Sequence, residues 1–296
     1  MKAKTKLKKA LTCLAHSATV VVPVAASLTI AMPSWAVSLF LTGHDPDFHA
    51  LLGENLTGAR NINQVAINFV MAPSFNTFVS NGVNKFLFVE SKISPPRRHV
   101  NGVNGIIASG YTLGTDFDHH DANTLNAALD QLGSIYSAIV VASDFGGVLT
   151  QAELDILNTR ADDIVSFLNA GGGLYAMAES NSGAHLTPGG GQLGFLPFVT
   201  TSTPLEQSEI GYTVTPFGAS LGLTNSDING NFSHTIFNGT FGLNVVDRDA
   251  SGNIVSLAGR NLPTQSTSEP SFALGTLVLG ALGISSVLKH KQHQKA

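Results

Sequence analysis

Two short stretches concentrate histidine and aspartate. "GHDPDFH" carries His44, Asp45, Asp47 and His49, and "TDFDHHD" carries Asp116, Asp118, His119, His120 and Asp121. Imidazole and carboxylate together suit a divalent metal such as zinc or manganese, although neither stretch has the spacing of a recognised metal motif. A solvated loop, with Asp121 capping a helix, is the plainer reading. A third stretch, "GGGLYAMAESN", ends a run of apolar residues with Glu179 and Ser180. Such a strand-to-helix turn can carry a nucleophile, with His234 of "SHTIFNG" as its candidate base. The glycines of a G-x-S-x-G elbow are absent, and a simple polar turn is the alternative. In "ASDFGG", Gly146 and Gly147 either present N–H groups to an oxyanion or only make a tight turn. "PPRRH" is the one basic spot of the body. It reads as a surface loop, with phosphate or an acidic polymer as the other reading.

These residues need elements to position them. "VSLFLTG" (37–43), "KFLFVE" (85–90), "YSAIVVAS" (136–143) and "GLYAMA" (173–178) read as buried strands, and "YTLGTDF" as a short one. Between them lie helical patterns at about 59–71, 99–111 and 121–132. A further helix opens on the capping box Thr150/Glu153 and stops at Gly171. Alternation of uncharged strands with helices predicts an α/β fold, a mostly parallel sheet with helices on both faces. The histidine–aspartate stretches then fall at C-terminal strand ends, where open α/β sheets bind ligands. After Asn181 the chain becomes β-rich: "EIGYTVTPFG" (209–218) reads as a strand and residues 242–260 as a hairpin.

The ends of the 296-residue chain read as addresses. Lys2, Lys4, Lys6, Lys8 and Lys9 precede an apolar run and Ser34-Trp35-Ala36, which predicts a signal peptide over 1–36. Residues 261–269 form a polar linker. Phe272–Leu288 carries no charge and as a helix would span roughly 25 Å, the short end of a transmembrane helix. Lys289, Lys291 and Lys295 follow, which leaves the tip in the cytoplasm and the body outside. The net charge is −4; without the eight lysines of leader and tip, where no acid lies, the body carries −12. That balance argues against nucleic acid or an anionic membrane as partner. The one cysteine, Cys13, lies in the leader, so the body has neither disulfide nor thiolate chemistry.

Two resemblances follow. Residues 270–296 with Ser268-Glu269-Pro270, the glycines Gly275, Gly280 and Gly283, and the basic tip resemble the PEP-CTERM sorting signal of exported bacterial proteins, though the first proline is missing. That implies anchoring in the inner membrane and processing by an exosortase-type enzyme. It also implies a destination at the cell surface or in an extracellular matrix, with exopolysaccharide as a candidate partner.

Residues 37–260, through "YSAIVVASDFGGVLTQAELDILN", "IVSFLNAGGGLYAMAES" and "SHTIFNG", resemble the class I glutamine amidotransferase-like superfamily. That implies a flavodoxin-like architecture with a nucleophile at the Glu179-Ser180 turn and a histidine on a loop. Glutaminases use cysteine at that turn, and this body has none. Two functions stand side by side. One is a non-catalytic binding or structural module. The other is a secreted hydrolase of glycan or ester type, using Ser180 with His234 or a metal at His44, Asp45 and His49.

Overall fold

The computed structural model describes residues 37–144, 146–178, 193–208 and 210–260. The segments expected to be the leader (1–36) and the sorting signal (270–296), and Glu179 with Ser180, lie outside the described residues. The uncharged apolar runs become strands because they can be covered on both faces: β1 (Ser38–Thr42) is buried along its whole length. Next come α1 (Pro46–His49), α2 (Leu56–Val70), α3 (Thr77–Ser80) and β2 (Lys85–Val89). They are followed by α4 (Gly102–Ala108), β3 (Phe117–His120), α5 (Leu125–Leu129) and β4 (Tyr136–Val141). The helical run 151–169 turns at Arg160 into α6 (Gln151–Thr159) and α7 (Ala161–Asn169), which lead to β5 (Gly173–Ala176). The remainder is β6 (Ser202–Ser208), β7 (Thr213–Val214), α8 (Pro216–Ser220), α9 (Asn225–Ile228), β8 (Phe232–Phe237), β9 (Asn244–Arg248) and β10 (Ile254–Gly259).

All ten strands join one sheet in the order β3-β2-β4-β5-β1-β10-β8-β6, with β9 paired to β10 and β7. The first five strands pair parallel and the rest antiparallel. The α/β reading therefore holds, and the β-rich end continues the same sheet across the β1–β10 seam. Right-handed crossovers explain the layers. The connections β1 to β2 and β2 to β3 run toward one edge, and those from β3 to β4 and β4 to β5 run back. Accordingly α2 packs on β1, β5 and α4, while α5 packs on α6 and α6 on α7.

Three local expectations change. The short strand expected at "YTLGTDF" lies further on, at β3. Phe117 stacks on Phe86 at 5.0 Å and sets the register, while Asp116 accepts the Thr112 N–H at 2.7 Å and closes a turn before it. Residues 209–218 hold only the two-residue β7, because Pro216 opens α8 under a Thr215 cap. "SHTIFNG" contributes to a strand, β8, so His234 sits in the sheet and not on a loop.

Two features fix the seam. α2 starts on an Asn55 cap and buries Ile62, Ala66, Phe69 and Val70 at helical spacing; Phe69 meets Phe40 of β1 edge-on at 6.2 Å. The guanidinium of Arg260, after β10, lies between the rings of Phe69 (4.3 Å) and Phe75 (3.7 Å). Among the described residues no helix is long and apolar enough to cross a membrane.

The end of β1 runs close beside β8: the His234 N–H donates to the Gly43 carbonyl at 2.8 Å. A Cβ on Gly43 would lie 1.8 Å from the Thr235 carbonyl oxygen. Gly43→Ala is therefore expected to push β8 away from β1 and destabilise the protein by about 1–3 kcal/mol, read as a lower denaturation midpoint.

Candidate functional site

The parallel strands end together. Glu90 follows β2, Ser143 and Asp144 follow β4, Ala178 follows β5, and His44 and Asp45 follow β1. Backbone hydrogen bonds continue the ladder past the strands, from Asp144 N–H to Ala178 O at 2.9 Å and from Ala178 N–H to His44 O at 3.1 Å. From the other side β8 runs antiparallel and bridges His44 to Ser233. Among the described residues, most buried polar and charged side chains gather along this edge and seam.

Successive side chains on a strand point to opposite faces, which divides the polar groups into two clusters. On one face the His44 Nε2 meets Asp247 Oδ2 at 2.6 Å, Thr42 meets Ser256 at 2.8 Å, and Tyr212 meets Ser233 at 2.9 Å. On the other face lie Asp45, His49 and His234, exposed by 1%, 6% and 1% respectively. One donor atom of each of these three lies within 4.8 Å of the other two. The Asp45 Oδ1 is 3.3 Å from His49 Nε2 and 3.4 Å from His234 Nε2. The first stretch is thus split. Asp45 and His49 come together with His234, which the sequence offered only as a base, whereas His44 turns to Asp247.

Asp47 is occupied otherwise. Its carboxylate accepts the Ser143 N–H (2.9 Å), the Ser143 hydroxyl (2.7 Å) and the Phe48 N–H (3.0 Å). Glu90 accepts the N–H groups of Gly102 (2.5 Å), Val103 (3.0 Å) and Val148 (3.0 Å). Burial raises the Asp47 carboxyl above its ordinary range. Burial first, and the neighbouring Asp47 second, push Glu90 up to about 8. These two carboxylates brace loops. Gly147 N–H likewise donates to the Ser143 hydroxyl at 2.9 Å, so it is committed within the loop and not offered to an oxyanion.

Among the described residues the second stretch brings no three donor groups together. Asp118 pairs with Lys85 (3.2 Å) and accepts from the Tyr136 hydroxyl (3.2 Å). His119 Nε2 reaches the Glu90 carbonyl (3.0 Å), and His120 reaches Thr124 and Tyr136 (both 3.1 Å). Asp116 closes its own turn. Asp118 and His120 share the Tyr136 hydroxyl on one side of β3, and His119 turns to the Glu90 carbonyl on the other.

Sequence reasoning missed Glu90, Asp144 and Asp247. The first two could have been found, since each directly follows a buried strand. Asp247 reaches His44 only through the pairing of β9 with β10, which no local pattern shows.

A cavity of about 230 Å³ opens beside the edge, lined by Ile93, Pro96 and His99 from the β2 loop and by Asp144, Leu149 and Gln151 from the β4 loop and the start of α6. The chain leaves β2 in one direction and β4 in the other, so this is the topological switch point of the sheet.

Burial lowers the His119 imidazole to about 4, against an ordinary value of 6.5. Its neutral form contributes stability that is present above pH 6.5 and lost as pH falls toward 4. The thermal midpoint of the protein should therefore fall more steeply over that window than that of His119→Gln; parallel curves would remove His119 from the acid response. No family model, no curated protein and no solved structure matches the chain.

Proposed function

We propose that this chain is an exported, surface-directed binding module. It would be an amidotransferase-like α/β frame without amidotransferase chemistry, taking its ligand at the C-terminal edge of the parallel strands. The observation that carries this reading is the cavity at the switch point between β2 and β4. Ile93, Pro96, Val148 and Leu149 give it apolar walls, and His99, Asp144 and Gln151 add polar groups. That mixture suits a sugar ring, which offers apolar C–H faces and hydroxyl edges. Exopolysaccharide at the cell surface or in a matrix is the partner class that agrees with both the cavity and the sorting signal.

Export rests on the lysine-rich leader and on Ser34-Trp35-Ala36. Since β1 begins at Ser38, cleavage after Ala36 leaves the first strand whole. The absence of a glutaminase rests on composition. That reaction passes through a thioester, and the only cysteine is Cys13 of the leader.

Three measurements test the proposal. N-terminal sequencing of exported protein should read from Val37; material starting at Met1 rejects the leader. The full chain should co-sediment with exopolysaccharide from a producing bacterium. Ile93→Asp and Gln151→Ala should each weaken that retention about tenfold, or 1.4 kcal/mol; unchanged retention removes the cavity from binding. Glutamine should not be hydrolysed, and a fluorophosphonate should not label Ser180. Stoichiometric labelling lost in Ser180→Ala and His234→Ala would replace this reading with a secreted serine hydrolase.

A further inference from the structure

We infer that Asp45, His49 and His234 form a binding site for a divalent transition-metal ion, with Zn²⁺ the best match. The inference is independent of what the switch-point cavity binds.

The argument starts from His49. Its Nδ1 lies 2.9 Å from the Leu52 carbonyl oxygen, which can only accept, so Nδ1 carries the proton and donates. In the neutral ring this leaves a lone pair on Nε2. That atom is buried, makes no hydrogen bond, and faces the Asp45 carboxylate oxygen at 3.3 Å. A lone pair set against a carboxylate in a dry site is repulsive unless a cation joins them. His234 brings a second imidazole nitrogen to the same oxygen, at 3.4 Å. A backbone carbonyl that fixes one ring nitrogen and aims the other inward is how proteins orient metal-ligating histidines.

The distances favour one geometry. With metal–donor bonds of about 2.0–2.1 Å, neighbouring donors of a tetrahedral ion stand about 3.3 Å apart, and those of an octahedral ion about 2.9 Å. The observed 3.3 Å and 3.4 Å, two of the three donor separations, match tetrahedral edges, and the third lies within 4.8 Å. Two imidazoles and one carboxylate are a borderline-to-hard donor set that suits Zn²⁺, with Co²⁺, Fe²⁺ and Mn²⁺ as competitors. Calcium, which takes six to eight oxygens, does not fit. Three protein donors leave a tetrahedral ion one position for water or a donor atom of a ligand.

The carriers are held rigidly. His49 ends α1, whose Pro46 carbonyl accepts from the buried Asn63 amide at 3.0 Å, while Asn63 takes the Tyr175 hydroxyl at 3.1 Å. His234 is locked by the backbone bond to Gly43 at 2.8 Å. The donors thus come from the helix after β1, the turn before it and a distant antiparallel strand, and they converge on one oxygen.

The test uses the full chain, purified without chelator or metal-affinity step, and elemental analysis with metal titration of the stripped protein. The expected result is one Zn²⁺ per chain, a thermal midpoint that rises with added Zn²⁺, and an intense visible spectrum with Co²⁺, the signature of tetrahedral coordination. His49→Gln, His234→Gln and Asp45→Asn should each weaken Zn²⁺ binding about a hundredfold or more, beyond what loss of an orienting partner does. His120→Gln, in the other histidine–aspartate stretch, should bind as the wild type does. Should a ligand variant fail to fold, the Co²⁺ spectrum and the Zn²⁺ dependence of the wild-type midpoint decide alone. A wild-type protein that shows no Co²⁺ bands and a midpoint indifferent to Zn²⁺ overturns the site. So does zinc retained in all three ligand variants. Neither outcome touches the polysaccharide reading, which is judged by co-sedimentation.

Discussion

Buried backbone donors at the C-terminal edge of the sheet are the constraint on which the rest of this molecule depends. The loops that leave β1 and β4, and the first residues after β2, pack against each other away from water, and a buried N–H left without a partner costs about 1–3 kcal/mol. Two carboxylates remove most of that cost. Asp47 takes three donors from its own helix and from Ser143, and Glu90 takes three from α4 and the loop after β4. A Cβ on Gly105 would meet the Asp47 carbonyl at 1.8 Å, which explains why α4 contains a residue that weakens helices. Desolvation then raises both carboxyls above their ordinary range, and the neighbouring Asp47 raises Glu90 further.

Those braces decide what the remaining polar groups can do. Because Asp47 is spent on Ser143, the one-turn helix α1 is fixed, and it presents His49 and not Asp47 toward Asp45. Because His44 and Asp45 are successive residues at a strand end, they diverge: one joins the β9–β10 face and the other joins His234. The same sheet corner therefore holds an acid–histidine pair on one side and a three-donor cluster on the other, separated by a single backbone.

How far the sequence could be read follows from the range of each signal. Uncharged runs such as 136–141 and the Thr150/Glu153 box report local burial and capping, so strands, helices and the α/β class were legible. The stretch from His44 to His49 was legible as a place of chemistry, since it follows a buried strand. Its partner was not. His234 lies some 190 positions away and arrives through an antiparallel pairing that β8 shares with the end of β1, a contact with no periodicity of its own. Density of residue types also misled: Asp116 to His120 is the richer stretch, yet β3 alternates its side chains, so that Tyr136 and Lys85 take those of one side and the Glu90 carbonyl takes His119 on the other.

The clasp of Arg260 between Phe69 and Phe75 has a mechanical consequence. β10 lies between β9 on one side and β1, with β8 past its end, on the other, so a pull on Arg260 along the strand loads both neighbours. A load along that axis would shear the β1–β10 pairs together, whereas a load across it would peel them from the Gly259 end. The stacked guanidinium meets the force first and transfers it to α2, bypassing the strand. The end of the seam is thereby held by α2 as well as by its own strand pairs.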